Sequence, residues 1–241
     1  MDAISITNLT KTYGDVTAVQ DLNLQIRQGE LFALLGVNGA GKTTTIKMLS
    51  GLTAPTAGDA SLCGKSICRE TAAVKAMIGV SPQETAVAPN LSVRENLELM
   101  CGVHGLDDPR GKAEQVAALL GLTPVMTKRA KTLSGGFQRR LSIAMALVGD
   151  PEILFLDEPT LGLDVLARSD LWDLIRSLKG KVTVILTTHY MQEAEALSDR
   201  IGIMKDGRLL ICGTVEEIKA AAGCDDFEQA FVQIVKEATE C

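Results

Sequence analysis

The chain has 241 residues, 46% of them hydrophobic, with 24 basic and 30 acidic side chains and a net charge of −6. That length and hydrophobicity suffice for one large buried core and exclude a disordered chain, and the acidic balance argues against nucleic acid as the main partner, which would demand clustered positive charge. No apolar run approaches the ~18 residues of a membrane span, and Met1-Asp2-Ala3-Ile4-Ser5 lacks the basic and apolar regions of a secretory signal, so a cytosolic protein is expected.

Residues 3–35 alternate as strands, with Val16, Leu22, Leu24 and Ile26 expected on one apolar face and Arg27-Gln28-Gly29-Glu30 as a turn. The apolar stretch 31–35 reads as a buried strand. It runs into Gly36-Val37-Asn38-Gly39-Ala40-Gly41-Lys42-Thr43, which fits G-x-x-x-x-G-K-[ST]. In such a loop the glycines let backbone N–H groups turn inward to cradle phosphate oxygens. The lysine lies near the β- and γ-phosphates and the hydroxyl of Thr43 can bind Mg²⁺. Residues 44–49 then read as a helix whose N-terminus faces the anion. Ala54-Pro55-Thr56-Ala57-Gly58 is a turn, 59–64 a short strand, and Met77-Ile78-Gly79-Val80 a strand running into Ser81-Pro82-Gln83.

From about 84 to 150 the pattern turns helical. Ser92-Val93-Arg94-Glu95 is a capping box with Val93, Leu97 and Met100 on one face, and Asp108-Pro109 opens a helix carrying Val116, Leu119 and Leu120. Ser134 caps a third, with Phe137, Leu141, Met145 and Val148 at helical spacing. Strands at 153–157, 182–186 and 201–204 then alternate with helices at 165–179 and 190–198, and 214–241 reads as two short helices. This is an α/β parallel-sheet pattern interrupted by a helical insert. The six cysteines, Cys63, Cys68, Cys101, Cys212, Cys224 and Cys241, show no C-x-x-C spacing and read as reduced thiols.

Two further segments carry chemistry. Ile153-Leu154-Phe155-Leu156 is a strand core ending in Asp157 and Glu158. The carboxyl ends of such strands are where α/β sheets bind ligands, so Asp157 can hold Mg²⁺ and Glu158 can act as general base on water. Leu133-Ser134-Gly135-Gly136-Phe137 opens a helix with two glycines, poor for helix propensity but good for presenting N–H groups to an anion. One phosphate loop does not need a second such end for its own nucleotide, but a second subunit's nucleotide does.

With these motifs in order, the chain resembles the nucleotide-binding subunit of an ATP-binding cassette (ABC) transporter from Tyr13 to about Gly213. The resemblance implies the P-loop NTPase fold of the ABC ATPase, with an N-terminal antiparallel β subdomain and an α-helical subdomain inserted near 84–150. It implies one ATPase domain over 1–213 and a short helical extension over 214–241. It makes Tyr13 the adenine-stacking aromatic. Gly36, Asn38, Gly39, Ala40, Gly41, Lys42, Thr43 and Thr44 become the phosphate-binding loop, and Thr43, Gln83 and Asp157 the Mg²⁺ ligands. Glu158 is then the catalytic glutamate, His189 the switch histidine, Gln83 the loop glutamine that senses metal and membrane partner, and Leu161-Gly162-Leu163-Asp164 the D-loop. Ser134, Gly135 and Gly136 would touch ATP held by the other subunit of a head-to-tail homodimer or heterodimer.

The commonest family signature has glutamine where Phe137 stands, with Gln138 following here. The L-S-G-G-F-Q-R-R-L form is similar to the branch that exports drugs, antibiotics, lipids and polysaccharides through a separate transmembrane permease. The alternatives are an importer ATPase, a soluble ABC ATPase without the usual second cassette or basic extension, and a P-loop kinase or GTPase without an N-K-x-D motif. Arg139 and Arg140 read as a solvated or salt-bridged helix face, and His104 as structural or exposed.

Overall fold

The computed structural model describes residues 1–240, with side-chain surroundings through Ala238; Cys241 lies outside the described residues. The chain opens with strands β1 (Asp2–Tyr13), β2 (Val16–Arg27) and β3 (Leu31–Gly36), then helix α1 (Lys42–Leu49). Strands β4 (Ala57–Leu62) and β5 (Lys65–Ser66), helix α2 (Thr71–Met77) and strand β6 (Ile78–Ser81) follow. The helices α3 (Val93–Val103), α4 (Pro109–Leu119) and α5 (Gly135–Leu147) come next. Then β7 (Ile153–Asp157), α6 (Val165–Leu178), β8 (Thr183–Thr188), α7 (Met191–Leu197), β9 (Arg200–Lys205) and β10 (Arg208–Gly213) lead to α8 (Val215–Ala222) and α9 (Phe227–Glu240).

Two sheets result. An antiparallel sheet has the order β2-β1-β4-β5, and a six-stranded sheet the order β10-β9-β3-β8-β7-β6, parallel throughout except for β10. Strands β3, β7 and β8 are buried along their whole length, which explains their unbroken apolar runs. Alternate residues face two separate cores. Leu31, Ala33, Leu35, Leu154, Leu156, Val184 and Leu186 pack with the helices α3–α9. Phe32, Leu34, Ile153, Phe155 and Ile185 pack with α1 and the antiparallel sheet. The terminal helices are part of the first core through Ile218, Phe227, Ala230 and Phe231.

Three expectations differ from the structure. Leu22, Leu24 and Ile26 are buried, but Val16 is 67% exposed. Leu9 pairs with Leu22 while Lys11 pairs with Val19, so β2 carries an extra residue near Asp21, whose φ is +46°. The bulge puts Val19 in the core, and a second register shift between Lys11 and Thr12 leaves Val16 opposite Tyr13 at the exposed end of the strand pair. Ala57 and Gly58, read as a turn, open β4, and Met77, read as strand, ends α2. Helix α2 buries only Val74 and has no apolar stripe to betray it. Strand β10 was legible in principle, since Asp206-Gly207, with φ of +47° and +77°, is a hairpin turn of the Asp-Gly type.

The helical insert follows its caps. The Ser92–Glu95 capping box forms on α3, Asp108 caps α4, and Ser134 caps α5. Val116 and Leu120 are buried, but Leu119 is 39% exposed on the outer side of α4. Helix α5 lies against β6 so closely that a Cβ on Gly79 would collide with the Ala146 carbonyl. Gly79→Ala is expected to destabilise the protein by about 1–3 kcal/mol, read as a lower urea midpoint at unchanged m-value.

Candidate nucleotide-binding site

The strand order assembles the site. Along the sheet, β3, β8, β7 and β6 are neighbours, and their parallel carboxyl ends release the phosphate loop, His189, Asp157-Glu158 and Gln83 in that spatial order. Residues far apart in sequence therefore share one rim, the usual ligand position of such sheets. A cavity of about 430 Å³ opens there. Residues 38–44, Gln83, Glu158 and His189 line it, together with Leu161 of the D-loop segment and Ala18, which the sequence did not point to.

The loop geometry explains its glycines. Gly39 and Gly41 have φ of +84° and +99°, which side chains with a Cβ rarely adopt. Gly36 lies outside the cavity lining, beneath the loop, where a Cβ would collide with the Met204 carbonyl. The buried Lys42 ammonium donates to the carbonyls of Gly36 (2.7 Å) and Val37 (3.2 Å) and lies 3.5 Å from Glu158 Oε1. Burial pushes its pKa below the ordinary lysine value, and the Glu158 and Asp157 carboxylates pull it back.

Asp157 Oδ1 accepts from two hydroxyls, Thr43 Oγ1 at 3.1 Å and Thr187 Oγ1 at 2.5 Å. A carboxylate and a hydroxyl thus converge from opposite sides of the sheet edge. Glu158 is buried with φ of +49°, a conformation costly for a non-glycine residue. Its N–H donates to the carbonyl and hydroxyl oxygens of Thr187, each at 3.1 Å. Its Oε2 lies 2.7 Å from His189 Nδ1, so one carboxylate faces both Lys42 and the histidine. The Tyr190 ring, 4.1 Å from the histidine ring by centroid, braces it, and Arg168 lies 4.8 Å over Tyr190.

The other expected residues lie elsewhere. Tyr13 is 48% exposed, outside the cavity lining, with the Lys11 ammonium 4.9 Å over its ring. Ser134 accepts from Phe137 N–H at 3.5 Å at the start of α5, also away from the cavity. Gly135 and Gly136 face Leu163 and Ala167, so the glycines let α5 approach the segment leading into α6. Asp164 caps that helix by accepting from Ala167 N–H. Arg140 is salt-bridged to Asp170 at 2.9 Å, whereas Arg139 is buried, against the expectation of a solvated or salt-bridged face. His104 is exposed, and Cys63, Cys68, Cys101, Cys212 and Cys224 are free thiols.

Behind the site sits a buried carboxyl that the sequence did not single out. Glu193 on α7 accepts from Trp172 Nε1 at 3.2 Å. Burial pushes its pKa up, Thr188, Thr160 and Trp172 oppose this, and the Glu158 charge adds to it. The folded protein therefore keeps this proton where the unfolded chain has lost it. The cost of burying the group is absent below the ordinary value of 4.5 and grows as pH rises through the folded value. Thermal melts should show the melting temperature of Glu193→Gln gaining on that of the wild type as pH rises from 4.5.

Fold and site together define a phosphate-loop nucleotide hydrolase. The comparisons carry this further: the family model described as ABC transporter matches residues 19–161. A daunorubicin resistance ATP-binding protein of Streptomyces coeruleorubidus is 42% identical over 92% of this chain and 72% of its own length. A Nod factor export ATP-binding protein of Paraburkholderia xenovorans (strain LB400) is 43% identical over 94% of this chain and 76% of its own. The dimeric post-hydrolysis structure of the ATP-binding cassette MJ0796 with ADP and Pi superposes with a TM-score of 0.79, at 28% identity, over 88% of this chain and 98% of that one. The chain belongs to the ABC transporter family, as an ATP-binding subunit with ATP hydrolase activity.

Proposed function

We propose that this subunit hydrolyses MgATP in a head-to-tail dimer and drives export, of drug, antibiotic, lipid or polysaccharide type, through a separate membrane permease. The observation that carries the ATPase mechanism is the position of Glu158, buried between Lys42 and His189 on the rim of the loop cavity. Lys42 and backbone N–H groups of the loop hold the phosphates. Glu158 takes the proton of the attacking water, and His189 orients the γ-phosphate and the glutamate. Tyr13 stacks on adenine. Ser134, Gly135 and Gly136 reach the nucleotide of the facing subunit, a role supported by their lying outside their own cavity.

The site fits Mg²⁺. Among the described residues no group of three or more His, Cys, Asp or Glu forms a metal cage by itself. Asp157 and the Thr43 hydroxyl, 3.1 Å apart, are oxygen donors of the kind taken by an ion that keeps waters and substrate phosphates as its other ligands. Thr43, Asp157 and Gln83 would hold it, and when bound it would neutralise charge on the β- and γ-phosphates.

We assign residues 1–213 to the ATPase unit, with its helical part near 84–150, and 214–241 to a helical extension. Among the described residues no helix is long and apolar enough to cross a membrane. We place the chain, on its family membership, at the cytoplasmic face of the membrane, docked through the helical part and Gln83. Export is supported by the relatives named for drug resistance and Nod factor export. Coexpression with the neighbouring membrane gene should yield a detergent-stable complex. Inside-out vesicles holding that complex should accumulate a fluorescent amphiphilic drug when MgATP is added. No complex, or ATP-driven loss of drug from loaded vesicles, would overturn the export reading.

A further inference from the structure

Arg139 lies on α5, five residues past Ser134, and only 4% of it is exposed. Among the described residues its guanidinium has no carboxylate at hydrogen-bond distance. Instead Nη1 donates to the Pro82 carbonyl at 2.7 Å and Nη2 to the Gln83 carbonyl at 2.6 Å. The fork of a guanidinium suits two successive carbonyls in a way a lysine ammonium cannot. The charge is tolerated because Asp157 and Glu193 face it and offset part of the cost of burial. A second tie joins the same two segments, Ser81 Oγ to Ser142 Oγ at 2.9 Å.

Residues 81–83 are thus fastened to α5 at three successive positions, just where Gln83 enters the nucleotide cavity. The N-terminal end of the same helix, about one turn from Arg139, carries Ser134, Gly135 and Gly136. We infer that Arg139 is a positioning residue for Gln83: it clamps the backbone of residues 82–83 so that the reach of the Gln83 side chain into the cavity follows the placement of α5. The helix end that meets the facing subunit and the glutamine in its own subunit's site then move as one body. This rests on the reading of Gln83 as a ligand of the metal.

The test is a double-mutant cycle in ATP turnover by the intact chain at high protein concentration. Arg139→Met keeps length and burial but removes both donors. It should lower turnover at saturating MgATP about tenfold with KM changed less than about twofold, because the lost interaction acts on the reacting geometry rather than on binding. Arg139→Lys, which can reach one carbonyl, should recover part of the loss. Gln83→Ala should be slow, and adding Arg139→Met to it should cost nothing further, since the effect passes through the side chain already removed. A purely structural role predicts the opposite, a full additional loss. Should Arg139→Met fail to fold, Arg139→Lys completes the same cycle. Wild-type turnover in Arg139→Met, or additive losses in the double variant, overturns the inference alone. Wild-type turnover in Gln83→Ala overturns the reading of Gln83, and the inference with it.

Discussion

Glu158→Gln is expected to nearly stop ATP hydrolysis while leaving ATP binding intact. The substitution preserves shape but removes the negative charge that faces Lys42 and His189. General-base contributions run to roughly 10²–10⁴-fold, so turnover should fall by that order. Lys42, Thr43 and Asp157 remain to hold nucleotide. Removing the Glu158 carboxylate also takes away one of the charges that hold the pKa of the buried Lys42 up, a role the phosphates take over once ATP is bound. With binding retained and hydrolysis blocked, ATP should hold two copies together through Ser134, Gly135 and Gly136. Light scattering of Glu158→Gln with ATP should then report a dimer, and adding Ser134→Arg should return the monomer by steric and charge conflict. A monomer in both samples, at high concentration and in the assembled transporter complex alike, would sink the shared-site reading.

Lys42→Ala should have the complementary effect. It should abolish turnover and also weaken ATP binding. Lys42 is the only side-chain cation of residues 36–43, and its ammonium already sits among loop carbonyls on the cavity wall. Hydrogen bonds to charged groups contribute about 1.5–3 kcal/mol, which corresponds to roughly ten- to hundredfold in ATP affinity. The fold should survive, since β3 and α1 keep their buried faces, Phe32 and Leu34 on the strand and Ile46 and Met48 on the helix. Calorimetric titration with ATP, beside circular dichroism to show the fold, checks this; wild-type affinity in the folded variant would refute the role of Lys42. The two variants separate binding from chemistry, because one loses both and the other only the second.

Sequence alone determined the parts of this protein that short-range pattern controls. Unbroken apolar runs marked β3, β7 and β8 because both faces of those strands are buried. Caps marked α3, α4 and α5 because a side chain must satisfy their first N–H groups. The phosphate loop was legible because its glycines and lysine are covalently spaced, and the motifs taken together marked the family. Other features depended on contacts that no local pattern records. The bulge at Asp21 turned Val19 into the core, because pairing with β1 rather than alternation along β2 decides the face, and Val16 stayed exposed opposite Tyr13 at the end of the strand pair. Helix α2 left no stripe, since only Val74 of it is buried.

The site divides in the same way. The residue types at 36–43, 83, 157, 158 and 189 could be picked out along the chain, but their meeting depends on the strand order β3-β8-β7-β6, which is set by long-range pairing. Tertiary structure alone decided that Glu158 would stand between Lys42 and His189. It also buried Glu193 behind the site, and turned Arg139 inward onto the carbonyls of Pro82 and Gln83 while its neighbour Arg140 stayed at the surface with Asp170. Two adjacent arginines look alike in sequence. On a helix they point about 100° apart, and only the packing of α5 against β6 decides which one is desolvated and must find its partners inside.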